Sequence, residues 1–230
     1  MAGIMENVTC PMKDQNWIMK LLFSYVALIP FGGFLLGGYQ LRAIREYARE
    51  PKDSMPEWDN WVQLLIDGFL VTCLTFVYML VPMALMFIAY LPMLLTVIGG
   101  AGMSSEDSSL QALGGITALL GPILTIVLMI VAVLVSFVSA FLLPMAMGIF
   151  AVTGNFFAAI NPFGVLGKIL SNFGSYIMVV LIPMILGLLI NSVLAVTMIG
   201  TLLMFPAVLY ISIVSAKMLG DMFRENNICY

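Results

Sequence analysis

The chain of 230 residues is 62% hydrophobic and 9% charged, with nine Lys and Arg against twelve Asp and Glu and a net charge of −3. Soluble globular domains carry about 25% charged residues, so this composition excludes that class. Without histidine or a long basic run, His-based acid–base chemistry, His-ligated metals and nucleic-acid binding are excluded as well.

Charges are missing from 21–41, 68–105, 108–167 and 169–216, runs of 21, 38, 60 and 48 residues, whereas about 20 apolar residues cross a bilayer. The expected fold is all-α, a polytopic membrane helix bundle, with residues 1–230 forming a single integral membrane domain. Cys10, Cys73 and Cys229 make no CxxC pair, and Cys73, inside an apolar block, reads as a small buried hydrophobe.

Residues 1–16 form a polar lead with Glu6, Asp14, Gln15 and Asn16 in place of a signal-like apolar stretch. The first apolar block, Trp17 to about Gly38, is one span long and contains Ile29-Pro30-Phe31-Gly32-Gly33, where a missing amide and paired glycines predict a kink or break. It is read as one kinked span, with two re-entrant half-helices as the alternative. The polar segment 39–61 follows. Arg42, Arg45 and Arg49 share a helical face there, Pro51 ends the helix, and Pro56-Glu57-Trp58-Asp59-Asn60-Trp61 reads as a new helix start. Trp58 and Trp61 suit the headgroup layer.

As one straight helix the block 62–100 would be about 58 Å long, against a hydrocarbon core of about 30 Å. The block is therefore expected to bend, double back or protrude, with Pro82 and Pro92 as the places, and an external loop is expected at 99–115. A block at 116–152, interrupted by Gly121-Pro122 and Pro144, leads to 153–175, an amphipathic stretch expected to lie in the membrane plane. In it Asn161 caps a helix that Gly174 ends. The block 176–216 is long enough for two spans, and a polar tail occupies 217–230. Five or six membrane helices with Pro and Gly breaks, plus two interfacial amphipathic helices, are expected. Arg42, Arg45, Arg49 and Lys52 assign 39–61 to the cytoplasm. The expected location is the plasma membrane, and with five spans the N-terminus would be outside.

The segments Gly38-Tyr39-Gln40-Leu41-Arg42-Ala43-Ile44-Arg45, Met55-Pro56-Glu57-Trp58-Asp59-Asn60-Trp61 and Asp67-Gly68 resemble motifs of the multi-pass membrane proteins grouped as domain of unknown function 4013. In that family a G-Y-x-x-R-x-I-R segment precedes L-P-x-[WF]-x-x-[WF] and a D-G inside the next helix. Met55 stands here where Leu is usual. Asn155-Phe156-Phe157-Ala158-Ala159-Ile160 and Ser175-Tyr176 resemble the family's second half. The resemblance implies a membrane location and transfers no activity, cofactor or site residue.

Asp67 is the one acid well inside an apolar block, about 9 Å along a helix from Trp61. It is read first as the ion-pair partner of Arg42 or Arg45, with an ion-binding role as the alternative. Asn191, beside Ser192, is read as an interhelical hydrogen-bonding group or a hairpin tip. The nineteen methionines fill core gaps. No catalytic, cofactor or metal residue is expected. The partners expected are the lipid bilayer, with anionic headgroups at the basic face of Arg42, Arg45 and Arg49, and other membrane proteins or a second copy. A non-enzymatic scaffold or accessory subunit is the favoured function, and a small permease or channel component the alternative.

Overall fold

The structure, a computed structural model, describes residues 4–102, 108–196 and 198–228. Nine α-helices occur among them. In chain order they are α1 (Ile4–Thr9), α2 (Trp17–Leu22), α3 (Gly32–Arg49), α4 (Trp61–Gly102), α5 (Ser108–Thr153), α6 (Phe156–Ile160), α7 (Pro162–Ser171), α8 (Phe173–Leu194) and α9 (Met198–Glu225), with 3-10 turns at Cys10–Lys13 and Phe23–Leu28. Glu106, Asp107 and Cys229 lie outside the described residues.

Four of these helices, α4, α5, α8 and α9, are long and apolar enough to cross a membrane, fewer than the five or six expected. The difference arises in the first block. Its apolar residues divide into a short segment, Trp17–Leu28, and the start of α3. Ile29 is extended, and Phe31 adopts a left-handed φ of 68° just before α3 begins. Pro30 therefore ends one element outright, and the kinked single span does not form. The last block does divide in two, at a turn just after Asn191 and Ser192.

The other prolines behave differently. Pro82 and Pro92 lie inside α4, Pro122 and Pro144 inside α5, Pro183 inside α8 and Pro206 inside α9. Each removes one amide donor and releases the carbonyl four residues earlier, and a membrane helix tolerates this where other groups satisfy that carbonyl. At Pro206 the donor is visible: the Tyr25 hydroxyl reaches the Leu202 carbonyl at 2.9 Å. Helix continuity also changes the expected loops. The helices α4 and α5 occupy most of 99–115, leaving 103–107, which lie outside the described residues. The stretch 56–60 is irregular, with α4 starting only at Trp61. The 153–175 stretch becomes α6 and α7, capped by Asn155 and Asn161. Gly174 falls in the first turn of α8, and most of the expected 217–230 tail belongs to α9.

The chain divides into two compact units. The first comprises 1–75 and 142–230 and holds the largest fully buried side chains, among them Tyr39, Tyr47, Tyr176 and Phe223. Its α3 packs on α9, and α9 on α8. Helix α3 approaches α4 closely at two glycines. A Cβ on Gly38 would lie 1.9 Å from the Leu64 carbonyl oxygen, and one on Gly68 would lie 1.7 Å from that of Phe34. Small residues permit this contact, which matters because apolar burial gives little drive between helices surrounded by lipid tails.

The second unit, 76–141, is built from the remainder of α4 and α5. Ala89 and Ala132 are fully buried in it. Gly99 lies against Thr117 and Gly121 against Thr96, whose hydroxyl is 2.9 Å from the Pro92 carbonyl and 3.2 Å from that of Thr117. Its large side chains, such as Phe87 and Leu119, are mostly exposed.

Candidate functional site

Polar chemistry concentrates in the first unit, where 4–28, α3, the irregular segment after it and the end of α9 meet. Helix α3 sets out Tyr39, Arg42 and Arg45 in successive turns, and each takes a different partner. Tyr39 stacks on Trp58 with ring centroids 4.0 Å apart and planes 6° from parallel, while its hydroxyl donates to the Pro56 carbonyl at 2.8 Å. Arg42 donates to the Glu57 and Asp59 carbonyls at 2.9 and 3.1 Å and pairs with the Asp59 carboxylate. Arg45 reaches Asp67 Oδ2 at 3.1 Å and the Ala151 carbonyl at 3.2 Å, tying α3 to both α4 and α5. Gln63 donates to Asp67 Oδ1 at 2.9 Å, so both oxygens of this buried carboxylate are occupied.

A second centre surrounds Lys20, whose side chain is only 7% exposed. Its ammonium donates to Asp14 Oδ2 at 2.8 Å, Glu57 Oε1 at 2.7 Å and the Met55 carbonyl at 3.0 Å, which uses all three N–H bonds. Asp14 also accepts the Asn16 and Met55 amides at 2.8 and 3.1 Å. Burial alone would raise the Asp14 carboxyl, but Lys20 and the two amides outweigh it and hold the group below its ordinary value. Burial likewise pulls the Lys20 ammonium down, and bonding to Asp14 and Glu57 more than restores it, to above the usual value.

A third centre closes the end of α9. Lys217, also buried, donates to the Lys52 carbonyl at 2.7 Å, lies 3.5 Å from both Asp53 and Asp221, and sits 5.1 Å over the Tyr47 ring. Arg224 donates to Asp221 Oδ1 at 2.7 Å and to the Tyr47 carbonyl at 2.8 Å. Asp221 Oδ2 and Trp58 Nε1 are buried without a hydrogen-bond partner. Lys13 bridges Glu6 and Asp53 at the surface, and its bond to Asp53 lowers that carboxyl. Burial raises the Cys10 thiol and the hydroxyls of Tyr39 and Tyr47, keeping all three protonated at neutral pH.

The residues singled out from the sequence thus separate. Arg45 pairs with Asp67, Arg42 with Asp59, and Trp58 stacks on Tyr39, while the Trp61 ring lies 5.9 Å from that of Trp58. Arg49 stays exposed at the end of α3, and Asn191 lies exposed in the last turn of α8, its carbonyl accepting the Ala195 amide at 2.9 Å. The expected basic face does not exist as one surface, because Arg42 and Arg45 turn to carboxylates. Asp14, Lys20, Lys217 and Asp221 were not signalled by the sequence. Most of their contacts join distant segments, and only the pairs of Asp221 with Lys217 and with Arg224, four and three residues apart, carry a local pattern. No three Cys, Asp or Glu side chains gather in a metal-holding group among the described residues.

A family model described as "Protein of unknown function (DUF4013)" matches residues 21–205. No curated protein and no solved structure matches the chain.

Proposed function

Because the chain belongs to the DUF4013 family of multi-pass membrane proteins of unknown function, we propose that it works as a non-catalytic membrane component, a scaffold or accessory subunit that acts by assembly. The observation that carries this reading is where its ionisable groups lie. Within the four long apolar helices, Asp67 is near the start of α4, and Lys217, Asp221, Arg224 and Glu225 are near the end of α9. The rest of those helices, over the described residues, carries no acid or base, and ion-coupled transport places such groups along its path.

Four crossings bring 1–60, 154–172 and the end of α9 to one side of the membrane, and all nine Lys and Arg belong to these segments or to the adjoining ends of the spans. The positive-inside rule then favours the cytoplasm for this side and the plasma membrane for the protein. Contacts of Lys20 with Met55 and Glu57 support placing the N-terminal segment on the same side.

The test combines two measurements. Proteoliposomes of the purified chain should pass solutes no faster than empty vesicles, and gently solubilised protein should migrate with a second membrane polypeptide, or a second copy, in fixed stoichiometry. A monomer whose vesicles pass a solute, with flux abolished by Asp67→Ala, would establish the alternative, a small permease. That reading draws on the break at Pro30-Phe31 and the prolines inside the long helices.

A further inference from the structure

Beside the Lys20 centre lies a cleft of about 320 Å³ lined by Asn16, Met19, Lys20, Phe23, Glu57 and Trp58. Two aromatic rings form part of its wall, Phe23 and Trp58, with centroids 5.8 Å apart. Trp58 is held from behind by its stack on Tyr39, and Trp61 stands 6.1 Å from Phe23. The polar side of the cleft is unusual in its charge. Lys20 and Glu57 line it, the buried Asp14 behind Lys20 brings the sum of the three to one negative charge, and the ammonium already donates three hydrogen bonds to protein oxygens. No N–H of Lys20 remains for a phosphate or carboxylate. Glu57 uses Oε1 on Lys20 while its side chain is 72% exposed.

We propose that this cleft binds a cationic amine, an alkylammonium group of the kind carried by aminophospholipid headgroups. An exposed carboxylate beside aromatic rings is the kind of surface that recognises such a cation. Met19, which is 63% exposed, supplies apolar surface for the adjoining carbons. The location fits the lipid source: the cleft lies next to Trp58 and Trp61, just before the apolar run of α4 begins, where indoles meet headgroups. The proposal rests on the membrane placement of the chain and is independent of whether the protein is a scaffold or a permease.

The experiment uses the full chain in a mild detergent, with tryptophan emission and the thermal midpoint as readouts. It is titrated with phosphatidylethanolamine, with phosphatidylglycerol and with soluble ethanolamine. Phosphatidylethanolamine should bind about tenfold more tightly than phosphatidylglycerol, and Glu57→Gln should remove that preference. If soluble ethanolamine binds as tightly as the lipid, the amine chemistry holds and the ligand is a free amine. Since Glu57→Gln also removes a partner of Lys20, Met19→Lys provides the second variant. It leaves the Lys20 bonds in place, sets a like charge at the rim, and should abolish amine binding while Glu50→Gln, outside the cleft, leaves it unchanged. Equal binding of the two lipids, or undiminished amine binding by Met19→Lys, would overturn the proposal.

Discussion

The polar end of the first unit and the helix pair of the second solve the same problem with different means. In the second unit, α4 and α5 meet through Gly99, Gly121, Thr96 and Thr117 and leave most large side chains exposed. In the first, residues as far apart in sequence as Asp14 and Met55, or Arg45 and Ala151, are joined by specific hydrogen bonds. Lipid tails solvate Leu and Phe as well as a protein interior does, so burial alone specifies little between membrane helices. Position is specified where backbones touch or where buried charges must find particular partners. The first unit has both devices, and perturbing it should therefore cost far more than perturbing the second.

The largest effect is expected at Gly68. A Cβ there would lie 1.7 Å from a backbone oxygen of α3, an atom that cannot move aside without shifting a helix. Gly68→Ala should cost more than about 3 kcal/mol and yield little folded protein. The counterpart in the second unit is Gly115, with nothing within 4 Å of its Cβ position. Gly115→Ala should stabilise by roughly 0.5–1 kcal/mol, since alanine is the better helix former. Melting curves in detergent compare the two, and equal effects would break the contrast between the units.

Next in size is Asp14→Asn. It removes the charge that faces an ammonium only 7% exposed, and a buried pair broken on one side costs about 3–5 kcal/mol. Exposed Glu57 still compensates Lys20 in part, so the lower end of that range is expected in a thermal melt.

Acid and base should then act on the same centre from opposite directions. The folded Asp14 carboxyl lies below its unfolded value, so its contribution is complete above about pH 4 and is lost as pH falls through the folded value. The folded Lys20 lies above its unfolded value, so its contribution is complete below about pH 10 and is lost as pH rises through the folded value. Stability measured against pH should fall away outside this window, and Asp14→Asn should flatten the acid limb. An unchanged acid limb in the variant would assign that limb to other carboxylates.

These sites also show what a sequence discloses about a membrane fold. Proline and paired glycines marked the break at Pro30, and Asp67 stood out as a lone acid among apolar residues, which made its pairing with a nearby arginine legible. The Asp14–Lys20–Glu57 centre was not legible, because Glu57 lies 37 residues from Lys20 in sequence and the three show no shared periodicity. Nor were the uninterrupted helices at Pro82, Pro92, Pro122, Pro144, Pro183 and Pro206. Whether proline breaks a helix depends on what satisfies the released carbonyl, and in α9 that group comes from a tyrosine 177 residues away.

Tyr25 tests that last point with the smallest expected effect. Tyr25→Phe keeps the ring, whose centroid is 6.0 Å from that of Phe205, and removes only the hydroxyl that donates to the Leu202 carbonyl. The expected loss is about 0.5–1.5 kcal/mol, the net worth of one hydrogen bond. The informative measurement is a double-mutant cycle with Pro206→Ala, which returns an amide donor to the same carbonyl. In that background the hydroxyl is redundant and Tyr25→Phe should cost almost nothing. An identical cost with and without proline would mean that the hydroxyl stabilises the protein by some route other than the carbonyl that Pro206 releases.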